Sequence, residues 1–397
     1  MQFSQKFESI SPSPTLTIDS KFKEMKALGY NVVGFGAGEP DYDTPNHIKQ
    51  AAINAILNGK TKYTPASGTM ELKKAICDKF QKDNSLSYTP ANIVVSNGAK
   101  HSLINAFGAI LNPGDEVIVP APFWVSYPEM IKYNDGVPVI LYTTEEKGFK
   151  FTAEELEKAI TPKTKALVLN SPSNPTGMVY SEEELKTIAD VCLKYNLYII
   201  SDEIYEHLVY GSAKHVSIAS FGEEIKDRTI IVNGLSKTYA MTGWRIGFTA
   251  SNEKIAKLMA NVQSHSTSNP NSIAQEAAVA ALTGPTDELK EMISQFDKRR
   301  QYMYERFTKM PYVSVLEPEG AFYVFVDVSE VVKKSYKGKV VGDAAEMARI
   351  LIDDYNVAVV PCADFGFDDH IRLSYAISVE QIDKGVTRIE QFLGELN

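Results

Sequence analysis

Lys237 stands shortly after the apolar run TIIV, inside SKTYAMTGWRIGF, and Arg245 follows it by eight residues. A guanidinium is always charged and meets a phosphate with paired donors, whereas a lysine used for covalent work must reach a neutral, nucleophilic state. One cation can therefore anchor a ligand while the other reacts with it. Asp202 closes the apolar run LYIIS, and Tyr205 comes three residues later. A carboxylate at that point can keep a pyridine nitrogen protonated, so that the ring accepts electrons from a carbanion, while the tyrosine hydrogen-bonds a ring oxygen. Singly, each residue has an ordinary explanation: a solvated lysine, an aspartate capping a helix, a packed tyrosine. Their value lies in the combination.

Further polar clusters have the same character. NSPSNPTG, residues 170–177, is a turn-rich loop in which Asn174 can serve as a polar donor near a ring oxygen and a carboxylate. Trp124 follows Pro122 and Phe123, where its large face suits either a core or a stacked ring. Residues 96–99 precede an amphipathic helix whose first amides and dipole can bind phosphate. Arg372 lies in the strand-like IRLSYA, among apolar residues where an unpaired charge is costly, so a carboxylate partner is expected.

The elements carrying these residues alternate helical patterns with short β-branched runs from about residue 70 to 250, the signature of a parallel sheet covered by helices. Strands are expected at 93–95, 116–119, 166–169, 197–200 and 229–232, each ending in one of the polar clusters. Helical spacing places Leu72, Ile76 and Phe80 on one face, and Ser181 with Glu184 and Thr152 with Glu155 form capping boxes. In open α/β sheets the carboxyl ends of the strands line the ligand crevice, so the clusters should converge on one site. After residue 285 the pattern changes to a long charged helix and strands near 322–326 and 357–360, which predicts a smaller α+β unit. The expected organisation is an N-terminal segment, 1–44, joining the small domain, a large domain, 45–285, and a small domain, 286–397.

Composition narrows the partners. A net charge of -9 without a long basic run argues against nucleic acid or an anionic membrane and for small molecules. The N-terminus lacks a signal-peptide core, and no apolar run is long enough to span a bilayer, so a cytoplasmic protein is expected. Cys77, Cys192 and Cys362 read as reduced packing residues. The histidines show no ligand spacing, and no metal is predicted.

GAGEPDYDTP, KYTPASG, SNGAKHSL, APFWVSYPEM, NSPSNPTG, SDEIYEHL, SKTYAMTGWRIG and RLSYA occur in that order. Together they resemble the class I aminotransferases of fold type I, in particular the bacterial aspartate aminotransferase subgroup, over nearly the whole chain. The resemblance implies a mostly parallel sheet in a large domain, a pyridoxal 5'-phosphate cofactor, and a homodimer with shared sites. It makes Lys237 the Schiff-base lysine and proton shuttle. Asp202, Tyr205, Asn170 and Asn174 would hold the ring and Trp124 would stack on it. Arg245, Ser236, the amides of Gly98 and Ala99, and Tyr63 from a partner subunit would bind the phosphate. Gly38, Asn174 and Arg372 would take the α-carboxylate, and Lys100 with Thr15 the distal carboxylate of aspartate or glutamate. The implied reaction moves the amino group of L-aspartate to 2-oxoglutarate by a ping-pong mechanism. Gly234 departs from many relatives outside the subgroup, which carry a phosphate-binding serine there. Ser11 departs from the lysine of relatives that accept prephenate.

Other classes remain in view. GFGAG at 34–38 fails as a dinucleotide loop because Glu39 and Pro40 stand where the third glycine and its helix should begin. A C–S lyase, a decarboxylase, or an aminotransferase of broader, aromatic or alanine type would share the cofactor residues and differ in products. A ligand-sensing regulator is disfavoured, since no helix-turn-helix extension or basic patch accompanies the motifs.

Overall fold

The computed structural model describes residues 3–11 and 14–397, with the side chains of 14–19 outside the description. Its strands, in chain order, are β1 (Val33–Gly34), β2 (Ile93–Ser96), β3 (Glu116–Ala121), β4 (Val137–Tyr142), β5 (Thr164–Asn170), β6 (Tyr198–Asp202), β7 (Thr229–Gly234) and β8 (Gly247–Ala250). They continue with β9 (Ser314–Val315), β10 (Tyr323–Asp327), β11 (Ser335–Tyr336), β12 (Lys339–Val340), β13 (Val357–Ala358), β14 (Val360–Pro361) and β15 (His370–Ser374).

A seven-stranded sheet of order β2-β8-β7-β6-β5-β3-β4 forms the larger platform. Strands β7, β6, β5, β3 and β4 run parallel, and β8 is antiparallel to both of its neighbours. The inner strands read Ile-Ile-Val and Leu-Val-Leu because both faces are covered by helices. All five expected strands form. The sequence reading omitted β4, whose residues are only partly covered, and β8, which is four residues long and begins with a glycine.

Register decides the site. Asn170 lies beside Asp202, and Asp202 beside Val232, so the ends of β5, β6 and β7 deliver neighbouring residues to one edge. Helix Met70–Asn84 begins where Thr69 accepts the Leu72 amide, and buries Leu72, Ile76 and Phe80. Ser181 and Glu184 exchange hydrogen bonds at the start of helix Glu182–Lys194, as do Thr152 and Glu155 before Ala153–Ala159, so both capping boxes are present.

A four-stranded antiparallel sheet, β14-β15-β10-β9, follows the charged helix Asp287–Phe307. The strand expected at 357–360 divides at Val359: β13 pairs with β1, and β14 pairs with β15. Two neighbours compete for the same short run, because Phe35 donates to Ala358 O while Val360 stands opposite Arg372. The expected 322–326 strand is shifted one residue, since Ala321 has φ 57°, outside the extended region. Ser374 N donates to Phe35 O at 2.8 Å, which ties the segment following β1 to the end of β15.

Candidate active site

The end of β7 turns immediately into the loop that carries Lys237. Its Nζ donates to the carbonyl of Gly38 and lies 6.0 Å from the ring centre of Tyr205 and 5.8 Å from that of Phe322. Burial lowers the amine to about 8, Arg372 and Arg245 push the same way, and Glu39 and Asp202 oppose them. Such an amine can shed its proton near neutral pH, which a nucleophile and proton carrier requires.

Asp202, at the end of β6, is buried. It accepts from Tyr127 Oη at 2.7 Å and from the Ile204 amide at 3.2 Å. Burial pushes its carboxyl up to about 6, with the two donors pulling back. A buried carboxylate served only by neutral donors is short of positive charge, and a protonated ring nitrogen would supply it. Tyr205 Oη lies 3.0 Å from Tyr323 Oη, and burial keeps both phenols protonated.

Asn170, at the end of β5, donates to Asp202 O at 2.9 Å and accepts from the Asn174 amide at 2.9 Å. This pair shapes the NSPSNPTG loop and turns the Asn174 side chain toward Arg372, whose Nη1 donates to Asn174 Oδ1 at 2.9 Å. Arg372 Nη2 donates to Gly36 O at 3.2 Å, and its guanidinium stands 4.4 Å from the Tyr323 ring. The side chain is buried, its Nε has no partner, and no ion pair to it occurs among the described residues. The expected carboxylate partner is therefore not a side chain of the described chain. A buried guanidinium facing only carbonyls is suited to an anionic ligand.

At the end of β2, Gly98 has φ 86° and precedes helix Ala99–Ile110. Its amide donates to Ser96 O at 2.8 Å, so the first free amide of the helix is that of Ala99. A Cβ on Gly98 would lie 2.4 Å from Arg245 Nη2, so the missing side chain leaves the space the guanidinium occupies. Arg245, itself at φ 57°, donates to Thr242 O at 3.0 Å and Asn97 O at 3.4 Å. Ser236 is buried one residue before Lys237. Gly234 has a structural reason: a Cβ there would meet Ile246 O at 2.9 Å and Gly247 Cα at 3.1 Å, leaving no room for a serine.

Trp124 packs edge-on against Tyr127 at 5.4 Å, and Lys100 Nζ lies 4.8 Å from the Trp124 ring. Burial, helped by Arg245, lowers the Lys100 amine. Lys100 is exposed in the first turn of its helix, with its amine set against the Trp124 ring. Tyr63 is 90% exposed, and nothing within this chain places it at the cluster. The Thr15 side chain lies outside the described residues.

Sequence reasoning missed Tyr127, Tyr323 and Glu39. Tyr127 could have been found from its position three residues after Trp124, since the turn leading into helix Ser126–Tyr133 brings the two rings together. Tyr323 and Glu39 gave no local signal, because each reaches the site through long-range packing. The cluster Glu203, Glu206 and His215 has ligand-like proximity. However, Lys79 pairs with Glu206, and Ser201 and Ser217 donate to Glu203 at 2.9 and 2.7 Å, so these carboxylates serve protein donors.

A lysine whose amine is lowered to about 8, a buried carboxylate without an ion-pair partner, a glycine-cleared arginine at a helix start and an arginine with an orphaned Nε together fit a phosphorylated pyridine aldehyde and a carboxylate substrate. Residues 30–389 match the family described as aminotransferase class I and II. The chain is 47% identical over 394 residues to the aspartate aminotransferase of Bacillus subtilis (strain 168), covering 99% of each. It is 49% identical over 389 residues to the probable aspartate/prephenate aminotransferase of Aquifex aeolicus (strain VF5), covering 98% of this chain and 97% of that one. Among solved structures, the aspartate aminotransferase from Rhizobium meliloti superposes with a TM-score of 0.96 at 43% identity over 100% of both chains. The Thermus thermophilus aspartate aminotransferase with maleate superposes with a TM-score of 0.92 at 42% identity, covering 99% of this chain and 100% of that one.

Proposed function

Because the chain belongs to the class I and II aminotransferases and is a transaminase, we propose that it moves the amino group of L-aspartate to 2-oxoglutarate, giving oxaloacetate and L-glutamate. The observation that carries this reading is the placement of the unpaired Arg372 guanidinium and the Lys100 amine around the same cluster as Lys237. Two cations suit a dicarboxylic substrate, since a carboxylate left unpaired in a closed site loses its hydration without return. The maleate that accompanies the Thermus thermophilus enzyme is likewise a dicarboxylate.

Pyridoxal 5'-phosphate, when bound, supplies an electron sink for the bonds at the substrate α-carbon. Asp202 would hold a proton at the ring nitrogen, and Tyr205 with Asn174 would hydrogen-bond the ring oxygen. Trp124 would cover the ring face. Arg245, Ser236, the first-turn amide of Ala99 and Tyr63 of a partner subunit would hold the phosphate in the space that Gly98 leaves. Arg372, Asn174 and Gly38 would fix the α-carboxylate, and Lys100, with Thr15, would receive the distal one. Lys237 would hold the cofactor covalently and, as the amine, would move the proton between the substrate α-carbon and C4' of the cofactor. The two half-reactions would alternate in ping-pong order on the same residues.

We read the assembly as a homodimer with shared sites, in a cytoplasmic setting that suits three unpaired thiols. Ile53, Ile56, Leu57, Tyr63 and Met70 are exposed on and after helix Asn46–Leu57, an apolar surface of the kind that subunits cover. On the same reading the large domain spans 45–285 and the small one 286–397, with the N-terminal segment joining the latter; the pairing of β1 with β13 supports that join. Broader specificity is the second reading, because relatives at 45–49% identity carry aspartate/prephenate in their names.

The test is a panel of half-reactions. The cofactor-loaded protein is mixed with one amino acid at a time, without an oxo acid, and its visible absorption and products are followed. Aspartate and glutamate should discharge the band fastest, with oxaloacetate formed from aspartate in proportion to protein. Pyruvate with ammonia, or carbon dioxide, would assign a lyase or decarboxylase.

A further inference from the structure

The segment from Gly36 to Glu39 touches three groups of the site at once. Gly36 O accepts from Arg372 at 3.2 Å, Gly38 O accepts from Lys237, and the Glu39 carboxylate accepts from Thr242 Oγ1 at 2.6 Å. Thr242 belongs to the same loop as Lys237, and its carbonyl accepts from Arg245 at 3.0 Å. Glu39 therefore reaches across from a distant part of the chain and is held by the loop that carries both the reactive amine and the phosphate arginine.

We propose that Glu39, anchored by Thr242, is a positioning residue that places a carboxylate charge beside the Lys237 amine and so governs how firmly that amine keeps its proton. The inference rests on the reading of Lys237 as the reacting amine. The groups facing Lys237 divide cleanly: Arg372 and Arg245 repel its proton, Asp202 and Glu39 attract it, and the Tyr205 and Phe322 rings lie nearby. Of the two carboxylates, Asp202 is committed to Tyr127 and the Ile204 amide, whereas Glu39 directly follows the Gly38 carbonyl that takes the Lys237 amine and is held by a single threonine hydroxyl. Glu39 is exposed, so its charge costs little desolvation and its removal leaves no buried hole. The hydroxyl of Thr242 gives that exposed carboxylate one fixed place, which a free surface glutamate lacks. With Glu39 neutralised, two guanidiniums face the lysine and only Asp202 opposes them, so the amine should lose its proton at lower pH.

The experiment is competitive acetylation of the full-length chain, without cofactor, over a pH series, reading the extent of label on the Lys237 peptide by mass spectrometry. Glu39→Gln should move the midpoint for Lys237 down by roughly 0.3–1 pH unit, the scale set by a partly screened neighbouring charge. Glu39→Asp should restore part of the shift, and Thr242→Val should move the midpoint the same way by less. Thermal melting of each variant reports folding separately. An unchanged midpoint in Glu39→Gln, or a lower labelling plateau at the same midpoint, overturns the proposal, and an unmoved Thr242→Val overturns the anchoring by Thr242. The visible band that forms when wild type meets pyridoxal 5'-phosphate is measured in parallel. Its absence would overturn the reading of Lys237 as the cofactor lysine, independently of what the acetylation midpoints say about Glu39.

Discussion

Tyr127 Oη donates a 2.7 Å hydrogen bond to Oδ2 of Asp202, linking the helix that starts just after Trp124 to the end of β6. Tyr127 is fully enclosed, so no solvent molecule can readily take over its role. Tyr127→Phe would leave one oxygen of a buried carboxylate without this donor, at a cost of about 1–3 kcal/mol to the charged form. Burial already pushes the Asp202 carboxyl upward and Tyr127 opposes that, so the variant carries less negative charge there at neutral pH. The expected result is a kcat on aspartate reduced roughly tenfold with KM little changed. Steady-state kinetics showing wild-type kcat would contradict the role.

Asp202 also makes a statement about stability. Folding raises its carboxyl from 3.8 to about 6, so between these values the folded chain keeps a proton that the unfolded chain has lost. The stabilisation is complete below the lower value and gone once pH has risen through the upper one. Asp202→Asn has no such loss, so without cofactor its stability relative to wild type should improve from pH ~4 to ~7, by at most about 3 kcal/mol. Urea unfolding of both proteins at the two pH values decides this. A gap that does not change with pH would count against a buried, cation-seeking carboxylate.

Gly98→Ala tests the phosphate cradle. The added methyl would sit 2.4 Å from Arg245 Nη2, at a backbone φ of 86° that alanine adopts poorly. The guanidinium must move, and cofactor affinity should fall by tenfold or more, equivalent to about 1.4 kcal/mol. Spectroscopic titration with pyridoxal 5'-phosphate measures it; unchanged affinity would remove Gly98 and Arg245 from the cradle.

Lys100→Ala separates substrate choice from cofactor binding. Losing one charge-assisted contact of about 1.5–3 kcal/mol should lower kcat/KM for aspartate roughly tenfold or more. Activity on alanine or an aromatic amino acid should change far less. Equal losses on both would place Lys100 with Trp124 and the cofactor rather than with the distal carboxylate.

Much of this arrangement was legible in the chain itself, and the reasons are local. The runs ending at Ser96, Asn170, Asp202 and Gly234 are apolar and β-branched, and their polar ends mark where the sheet edge lies. Asp202 could be read because it closes such a run, and Lys237 because it follows one within a few residues. Strand β8 was hidden because four residues beginning with glycine carry almost no periodicity. The division of 357–360 between two sheets depends on β1 and β15, which lie far away in sequence. Tyr323 and Glu39 belong to the same class, since their contacts with Tyr205 and Thr242 join distant segments. The need for glycine at 234 emerged only once Ile246 was seen folded against it.

The most direct test of the whole account is to trap the cofactor on the protein. The wild-type chain is loaded with pyridoxal 5'-phosphate, reduced with borohydride, digested and mapped by mass spectrometry, with Lys237→Ala treated alongside. Lys237, its amine lowered by burial and held by Gly38 O in the midst of the cluster, should carry the reduced cofactor in near-stoichiometric amount. Lys237→Ala should carry none at that peptide and form no oxaloacetate from aspartate. Label found mainly on another lysine, or transamination at close to the wild-type rate by Lys237→Ala, would contradict the account at its centre.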